Sequence, residues 1–404
     1  MDFTPSPRAA EMSEQMWDFM TEHVLPAEPV WAAHLAEHGP HTHPPVMEEL
    51  KAEARRRGLW NLFHHTYSGL SNVEYAAIAE ISGWSPVLAP EAINCQAPDT
   101  GNMETLELFA TPEQRERWLE PLLDGTIRSA FAMTEPAVAS SDATNIEMRI
   151  ERDGADYVIN GRKWFISGAA DERCKIFIVM GKTNPDAESH RQQSMILVER
   201  DTPGMVIERH LPLFGYQDQH GHSEITFTDV RVPATNLLAN EGDGFAIAQA
   251  RLGPGRVHHA MRAIGMAERA LELLVDRAET RVAFGKPLIE QSNVQDAIAQ
   301  SRIEIEQARL LVYRCAWLID QGGAKNARSE VSEIKIAAPA MACAVIERAI
   351  EVFGAAGVSD DTPLAYFSAW ARVLRIVDGP DAVHRRTIAR LERRRPRRVT
   401  GDAL

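Results

Sequence analysis

The run Phe131-Ala-Met-Thr-Glu-Pro-Ala-Val-Ala-Ser-Ser-Asp142 carries the residue types that a large polar ligand requires. A short β-prone stretch turns at Pro136, then opens into small and hydroxylated residues closed by an acid. Small side chains let backbone N–H groups approach a ligand closely, and Thr134, Ser140 and Ser141 add hydroxyl donors. A cofactor can be surrounded in this way without a glycine-rich phosphate loop. A plain strand followed by a polar turn would carry the same letters, so this run does not decide the matter alone.

Three more stretches bear on it. Lys163-Trp-Phe-Ile-Ser-Gly168 sets two aromatics before a hydroxyl and a glycine. Arg281-Val-Ala-Phe-Gly-Lys286 closes a long helical pattern, and Arg375-Ile-Val-Asp-Gly-Pro-Asp381 is a loop entering the last one. The chain has no GxGxxG after a strand, no GxxxxGK[ST], no HExxH and no GxSxG. Its paired histidines (His64-His65, His258-His259, His41 with His43) lack an acid or cysteine at ligand spacing, so no metal site is expected.

The elements that must hold these stretches follow from periodicity. Three-and-four spacing predicts helices over 14–24, 45–57, 72–84, 103–109 and 112–123, with Thr111 as an N-cap before Pro112. From about 130 to 240 the pattern changes to short strands: 148–152, 157–159, 163–167, 176–180, 195–199, 205–208 and 223–232. Asn160-Gly161 reads as a tight turn between the second and third of these. Strands with no helix between them predict an antiparallel barrel or sandwich. Beyond 241, long apolar stripes over 263–282, 294–318 and 331–350, with a further helix from 383, predict a four-helix bundle. The expected fold is therefore α+β in three parts: a helical domain over 1–129, a β-barrel domain over 130–240, and a bundle with a basic tail over 241–404.

Composition bounds the function classes. The 404 residues are 45% hydrophobic with a net charge of −14, which disfavours broad nucleic-acid binding. No apolar run approaches the roughly 20 residues of a membrane span. The N-terminus lacks the basic start and apolar core of a signal peptide. Four scattered cysteines without CxxC read as reduced thiols, and a cytoplasmic location is expected. The arginines at 385, 386, 390, 393, 394, 395, 397 and 398 read as a solvated helix end and tail, or as a subunit contact or anionic-ligand rim.

The strings Ala132-Met-Thr-Glu-Pro136 with Ser141-Asp142, and Arg281-x-x-Phe-Gly-Lys286, together with the helix–strand–helix order, closely resemble the acyl-CoA dehydrogenase family. The resemblance spans about residues 10 to 393. Phe131–Ser141, Trp164–Ser167 and Leu374–Val383 look most like the branch that in animals is fused to a kinase-like domain and associated with long-chain, branched or hydroxylated acyl groups. It implies FAD as cofactor, with α,β-desaturation of an acyl-CoA thioester to the 2,3-enoyl-CoA. It also implies a homodimer or homotetramer, and an electron-transfer flavoprotein as electron acceptor.

Carried over residue by residue, Phe131, Met133 and Thr134 match the strand at the flavin edge. A hydrogen-bond donor there helps hold negative charge as hydride is accepted. Ser140 and Ser141 match positions contacting the cofactor and the thioester's phosphate arm, with one extra residue before Asp142 leaving their division open. Phe165, Ile166 and Ser167 match the segment stacked beside the flavin, with barrel core as the alternative for Phe165 and Trp164. Arg281 and Phe284 resemble the pair reaching the cofactor from a neighbouring subunit, where a planar guanidinium suits phosphate. A helix C-terminal cation is the alternative for Arg281. Glu351, Gly354, Ala355 and Gly357 match the turn at the cofactor's other end, or form a plain helix C-cap.

The family's base precedes a glycine in the last loop. Here Asp378 stands where glutamate is usual, followed by Gly379 and by Pro380 and Asp381, which the resemblance implies as cofactor contacts. Aspartate is one methylene shorter, so loop or substrate must sit closer, and burial would have to raise its affinity for a proton. Alternatively Asp378 only helps start the helix, whose first position reads as Pro380 with Asp381 favouring the dipole. The other family position for a base matches Gly253-Pro-Gly-Arg256, which holds no carboxylate; Gly253, Gly255 and Arg256 are expected acyl-CoA contacts, as is the Gly379 N–H for the thioester carbonyl. A flavin oxidase of the same fold, acting on nitroalkanes or acyl-CoA, and a flavin-poor scaffold member are the competing readings.

Overall fold

Two units emerge from the internal contacts of the computed structural model, Pro5–Gly255 and Arg256–Leu404 with Met1–Thr4. It describes residues 3–217, 219–251, 255–323 and 326–395, so Gly253, Arg397 and Arg398 lie outside the described residues.

Helices open the first unit: α1 (Pro7–Phe19), α2 (Leu25–His38), α3 (Pro45–Arg56), α4 (Asn72–Ser82) and α5 (Asp99–Phe109), with shorter turns between them. Their starts are chemically marked. Ser71 Oγ accepts from Glu74 N while the Glu74 carboxylate accepts from Ser71 N. Thr111 is the expected N-cap, accepting from Gln114 N at 3.3 Å, with Pro112 at the first position. The helix α2 escapes the periodicity pattern because Pro26 and Pro29 read as breakers. Pro26 instead follows directly on a π turn, Met20–Val24, that continues α1 into α2 without a break, and such a turn is where a helix absorbs a missing N–H.

Seven strands follow: β1 (Arg128–Ala132), β2 (Arg149–Asp153), β3 (Asp156–Ser167), β4 (Cys174–Lys182), β5 (Gln193–Glu199), β6 (Met205–His210) and β7 (His222–Pro233). The sheet runs β1-β4-β2-β3-β7-β6, with β5 also on β4. It is mixed, because β1 and β2 each pair with β4 in parallel. Neither parallel pair is consecutive in the chain, so no short turn joins its strands and forces them antiparallel.

Asn160-Gly161 makes no turn. Both residues lie inside β3, and the register against β7 shifts between Ile159 and Gly161. Gly161 has φ of 152°, and a Cβ there would stand 3.1 Å from Met148. The glycine therefore serves a bulge and a close approach, which the same dipeptide signals as readily as a hairpin. The sheet's core is apolar: Ile150, Tyr157, Ile159, Ile166, Phe177, Val179, Val198, Ile225 and Phe227 are buried together. Each such side chain contributes about 1.5–3 kcal/mol.

Polar anchors fix β1 at the start of the ligand-type run. Asp99 Oδ1 accepts from Ser129 N at 2.7 Å and Ser129 Oγ at 2.6 Å. The Arg128 guanidinium pairs with Asp99 and, at 3.0 Å, with Glu91. Arg128, with Arg173 and Lys51, holds the buried Glu91 carboxyl far below the usual range despite the opposing effect of burial.

In the second unit the long helices carry the expected stripes. Buried residues include Ile264, Ala267, Leu271 and Leu274 of α6 (Gly244–Thr280), Ile305, Val312 and Cys315 of α7 (Ser292–Gly322), and Ile334, Ala338 and Val345 of α8 (Arg328–Phe353). The helix α8 is central, packing on α7, on α9 (Leu364–Leu374) and on α10 (Asp381–Glu392). The sequence pattern omits α9, an eleven-residue element whose stripe of Leu364, Phe367, Ala371 and Leu374 is too short to stand out. All four cysteines are free thiols, and burial pushes Cys315 up to about 12. Among the described residues no helix is long and apolar enough to cross a membrane.

Candidate functional site

The loop after β1 is held by a charge buried beneath it. Lys163 is fully buried and donates to Met133 O and Glu135 Oε1, both at 2.8 Å. The Glu135 carboxylate also accepts from Glu147 N at 2.8 Å and Met148 N at 2.9 Å. Trp164 N donates to Thr134 O at 3.0 Å, so residues 133–135 are pinned alongside 163–164. Burial lowers the Lys163 ammonium to about 8, opposed by Glu135.

Within this loop the two serines divide. Ser140 Oγ accepts from Glu135 N at 2.9 Å and lies within 3.4 Å of the Glu135 and Val138 carbonyls, so it braces the turn. Ser141 is exposed, and its hydroxyl has no hydrogen-bond partner among the described residues. Asp142 caps the following turn through Thr144.

The second stretch is strained. Phe165 has φ of 51° at a bulge between Lys163 and Ile166, and its ring is 41% exposed, edge-on to Trp164 at 4.9 Å. A left-handed aromatic is costly and persists where the surroundings hold it, commonly at a ligand site. Ile166 is 1% exposed in the sheet core, so only its backbone can face a ligand. Ser167 Oγ lies 2.9 Å from Nδ1 of His222, its ladder partner on β7. A flavin ring requires an accessible flat apolar face with hydrogen-bonding groups at its edge; Phe165, Thr134 and Ser167 fit that demand.

Beside β1, the Arg251 guanidinium sits 4.0 Å over the Phe131 ring and donates to Asn102 Oδ1 at 2.9 Å. On α5, Glu104 Oε2 is buried and has no hydrogen-bond partner among the described residues. Burial pushes this carboxyl up to about 8, with Arg251 opposing. Sequence reading gave no signal for Arg251 or Glu104, since a helical Glu normally faces water.

In the second unit, Asp378 has φ of 53° and is followed by Gly379 at 95°. Its carbonyl accepts from Arg256 Nε at 3.0 Å and meets His384 Nε2 at 3.2 Å. A carbonyl only accepts, so His384 donates there from Nε2. Burial and Arg256 lower His384 to about 4, which keeps that imidazole neutral at physiological pH. Lys335, 1% exposed, donates to Leu374 O at 2.5 Å and Gly379 O at 3.4 Å, and burial lowers it to about 8. His259 Nε2 lies 3.7 Å from the Asp378 carboxylate itself. The Gly379 N–H donates to nothing among the described residues.

Two expectations shift at this loop. Pro380 is the N-cap of α10 rather than its first residue, with extended backbone, and Asp381 takes the first position. The Asp381 carboxylate is engaged by Arg375 at 2.7 Å, while its Oδ1 is buried with no hydrogen-bond partner among the described residues. Gly255 meets nothing within 4 Å of a built Cβ, leaving room beside Arg256 in sequence.

Arg281 and Phe284 stand in a hairpin, β8 (Val282–Ala283) with β9 (Lys286–Pro287). Phe284 and Gly285 both have positive φ, as a two-residue hairpin demands, yet the Phe284 side chain is 100% exposed. Gly354 is the C-cap of α8, donating to Ile350 O, and Glu351, Gly354 and Ala355 are exposed.

Residues 130–230 match the acyl-CoA dehydrogenase middle-domain model and 242–391 the acyl-CoA dehydrogenase C-terminal domain model. "Probable acyl-CoA dehydrogenase FadE2" of Mycobacterium tuberculosis is 64% identical over 100% of both chains. Acyl-CoA dehydrogenase family member 11 of Mus musculus is 52% identical over 96% of this chain, which spans 51% of that relative. A solved structure from Mycobacterium abscessus superimposes with a TM-score of 0.94 at 49% identity, covering 97% of this chain and 99% of its own.

Proposed function

The chain belongs to the acyl-CoA dehydrogenase family of FAD-dependent oxidoreductases, and we propose that it desaturates an acyl-CoA between C2 and C3 with Asp378 as base. The observation that carries this reading is the strained, clamped Asp378. A carboxylate held at φ of 53° by contacts from Arg256 and His384 to its carbonyl is fixed in direction without its own oxygens being consumed by those contacts.

Asp378 removes the proton beside the thioester carbonyl, and the Gly379 N–H polarises that carbonyl so that the departing proton leaves a stabilised enolate. Bound FAD supplies the acceptor for the hydride leaving C3. Met133, Thr134, Phe165 and Ser167 would hold the flavin edge, with Phe131, under Arg251, supporting from β1 and Ile166 through its backbone. Ser141 takes the phosphate arm while Ser140 shapes the loop. Arg281 and Phe284 reach the cofactor of a neighbouring subunit, whose other end meets Glu351, Gly354 and Ala355. Arg256 steadies the base loop as well as lying in the expected acyl-CoA segment. The acyl group is long-chain, branched or hydroxylated, and an electron-transfer flavoprotein takes the electrons.

The test is an anaerobic titration with a panel of acyl-CoAs, following visible flavin absorbance. Bleaching by one chain class establishes the half-reaction and its substrate class. Flavin unchanged by every thioester, or reduced flavin rapidly reoxidised by air, would replace this reading with that of an oxidase.

A further inference from the structure

The base loop contains more titratable chemistry than a single carboxylate requires. Asp378 is approached from α6 by Arg256 and His259, from α8 by Lys335, and from α10 by His384, with Asp381 close by in sequence. Along α6, His258 and Arg262 act electrostatically on one another, and His258 on His259. Most of these groups have structural assignments. Arg256 and His384 hold the Asp378 carbonyl, Lys335 holds the carbonyls of Leu374 and Gly379, and Asp381 is paired with Arg375. Burial keeps His258 neutral, lowering it to about 3.

His259 differs in two respects. Its Nε2 faces the carboxylate oxygen, at 3.7 Å from Oδ2, rather than a backbone carbonyl. It is also 15% exposed, beside a carboxylate 22% exposed, so the pair is sheltered without being sealed. That separation exceeds a direct hydrogen bond but is short enough for a small side-chain rotation or one water to close.

We propose that His259 is a positioning and proton-relay residue for Asp378, carrying the abstracted proton onward to solvent. The inference rests on Asp378 being the base. Asp378 Oδ2 bonds the proton taken from the carbon beside the thioester carbonyl, and the C–H electron pair stays with the substrate. The Oδ2–H bond then breaks as the Nε2 lone pair of neutral His259 accepts the proton, restoring the carboxylate and leaving an imidazolium. Nδ1 releases a proton to water, returning the neutral ring. An imidazole suits this because one nitrogen accepts while the other gives. An aspartate in a sheltered loop benefits because its proton need not wait for product to leave.

The experiment measures deuterium uptake in D2O by mass spectrometry, using the holoenzyme and a thioester whose third acyl carbon is replaced by sulfur. That probe has exchangeable hydrogens beside the carbonyl and none to lose as hydride. Wild type exchanges them with a rate that rises as a histidine-like group loses its proton. His259→Gln cuts the rate by roughly tenfold or more and removes that inflection, with FAD content unchanged. In His259→Ala, added imidazole restores exchange, which a packing role would not allow. Exchange in His259→Gln at the wild-type rate, or no rescue of His259→Ala, overturns the relay while leaving the base assignment intact. Exchange that survives Asp378→Asn overturns the base assignment, and the relay with it.

Discussion

Glu135 and Lys163 form a buried ion pair, Nζ to Oε1 at 2.8 Å, that ties two separated cofactor-type strings into one surface. Both side chains are buried. The ammonium also holds the Met133 carbonyl, and the carboxylate holds the Glu147 and Met148 amides, so one pair sets residues 133–135 and 147–148 together.

Glu135→Ala should therefore act as a deep structural lesion. It strands a buried ammonium and the buried Met148 amide, with the half-buried Glu147 amide beside it, and the expected loss is about 3–5 kcal/mol. Urea unfolding measures that loss directly. FAD content should fall in parallel, because the Met133–Thr134 backbone loses its anchor. A variant with wild-type unfolding and a full flavin complement would show the pair to be ornamental.

Ser167 and His222 should act as a unit. Their 2.9 Å contact joins neighbouring strands β3 and β7, and it orients a hydroxyl assigned to the flavin edge. Ser167→Ala and His222→Phe should each slow flavin reduction by acyl-CoA, and the double variant should be no worse than the poorer single one. A coupling of about 1 kcal/mol is expected in the double-mutant cycle. Strict additivity would mean that His222 packs without orienting Ser167.

Much of this was legible in the sequence, and the omissions share a physical pattern. Local chemistry was readable: Thr111 as an N-cap, the long α6, α7 and α8 stripes, and the motif strings themselves. What escaped depends on distant neighbours. Asn160-Gly161 has the letters of a hairpin turn, but its environment is set by Met148 and Asp229, so it became a bulge. His222, His259 and Lys335 carry no motif, since each matters through a residue dozens of positions away or across a ladder. Even the choice between Ser140 and Ser141 required the fold, which spends the Ser140 hydroxyl inside its own loop.

Two displaced groups predict opposite pH responses. Glu104 binds its proton more tightly folded, at about 8, than its ordinary 4.5, so it contributes stability at low pH that is lost as pH rises from about 4.5 through 8. His384 binds its proton less tightly folded, at about 4 against 6.5, so stability falls as pH drops from about 6.5 through 4. Thermal unfolding across pH 4–9 should separate them. Glu104→Gln should gain about 1–2 kcal/mol over wild type at pH 8.5 and little at pH 5. Equal gain at both values would point to packing rather than to the carboxylate.

Phe284 offers a test that leaves the isolated fold almost untouched. Its ring is fully exposed, so Phe284→Ala removes no buried surface, and unfolding should change by less than about 0.5 kcal/mol. Phe284→Ala and Arg281→Gln should nevertheless lose FAD on dilution and gel filtration several-fold faster than wild type, if the hairpin meets a neighbouring subunit's cofactor. Cofactor retention equal to wild type in both would remove the hairpin from the site.

Asp378 requires a substitution chosen for its backbone as well as its carboxylate. Its φ of 53° is tolerated by asparagine and aspartate but costs most other side chains about 1–2 kcal/mol. Asp378→Ala would thus mix lost chemistry with a relaxed loop, and Gly379 would move with it. Asp378→Asn keeps the left-handed turn and the carbonyl that Arg256 and His384 hold, and removes only the proton acceptor. Flavin reduction by the best acyl-CoA should fall by about 10²–10⁴-fold with FAD still bound. Asp378→Glu restores a carboxylate one methylene further out, and should recover part of the rate if reach rather than identity limits it. An asparagine variant retaining more than about a tenth of the rate would move the base elsewhere, with His259 the first residue to examine.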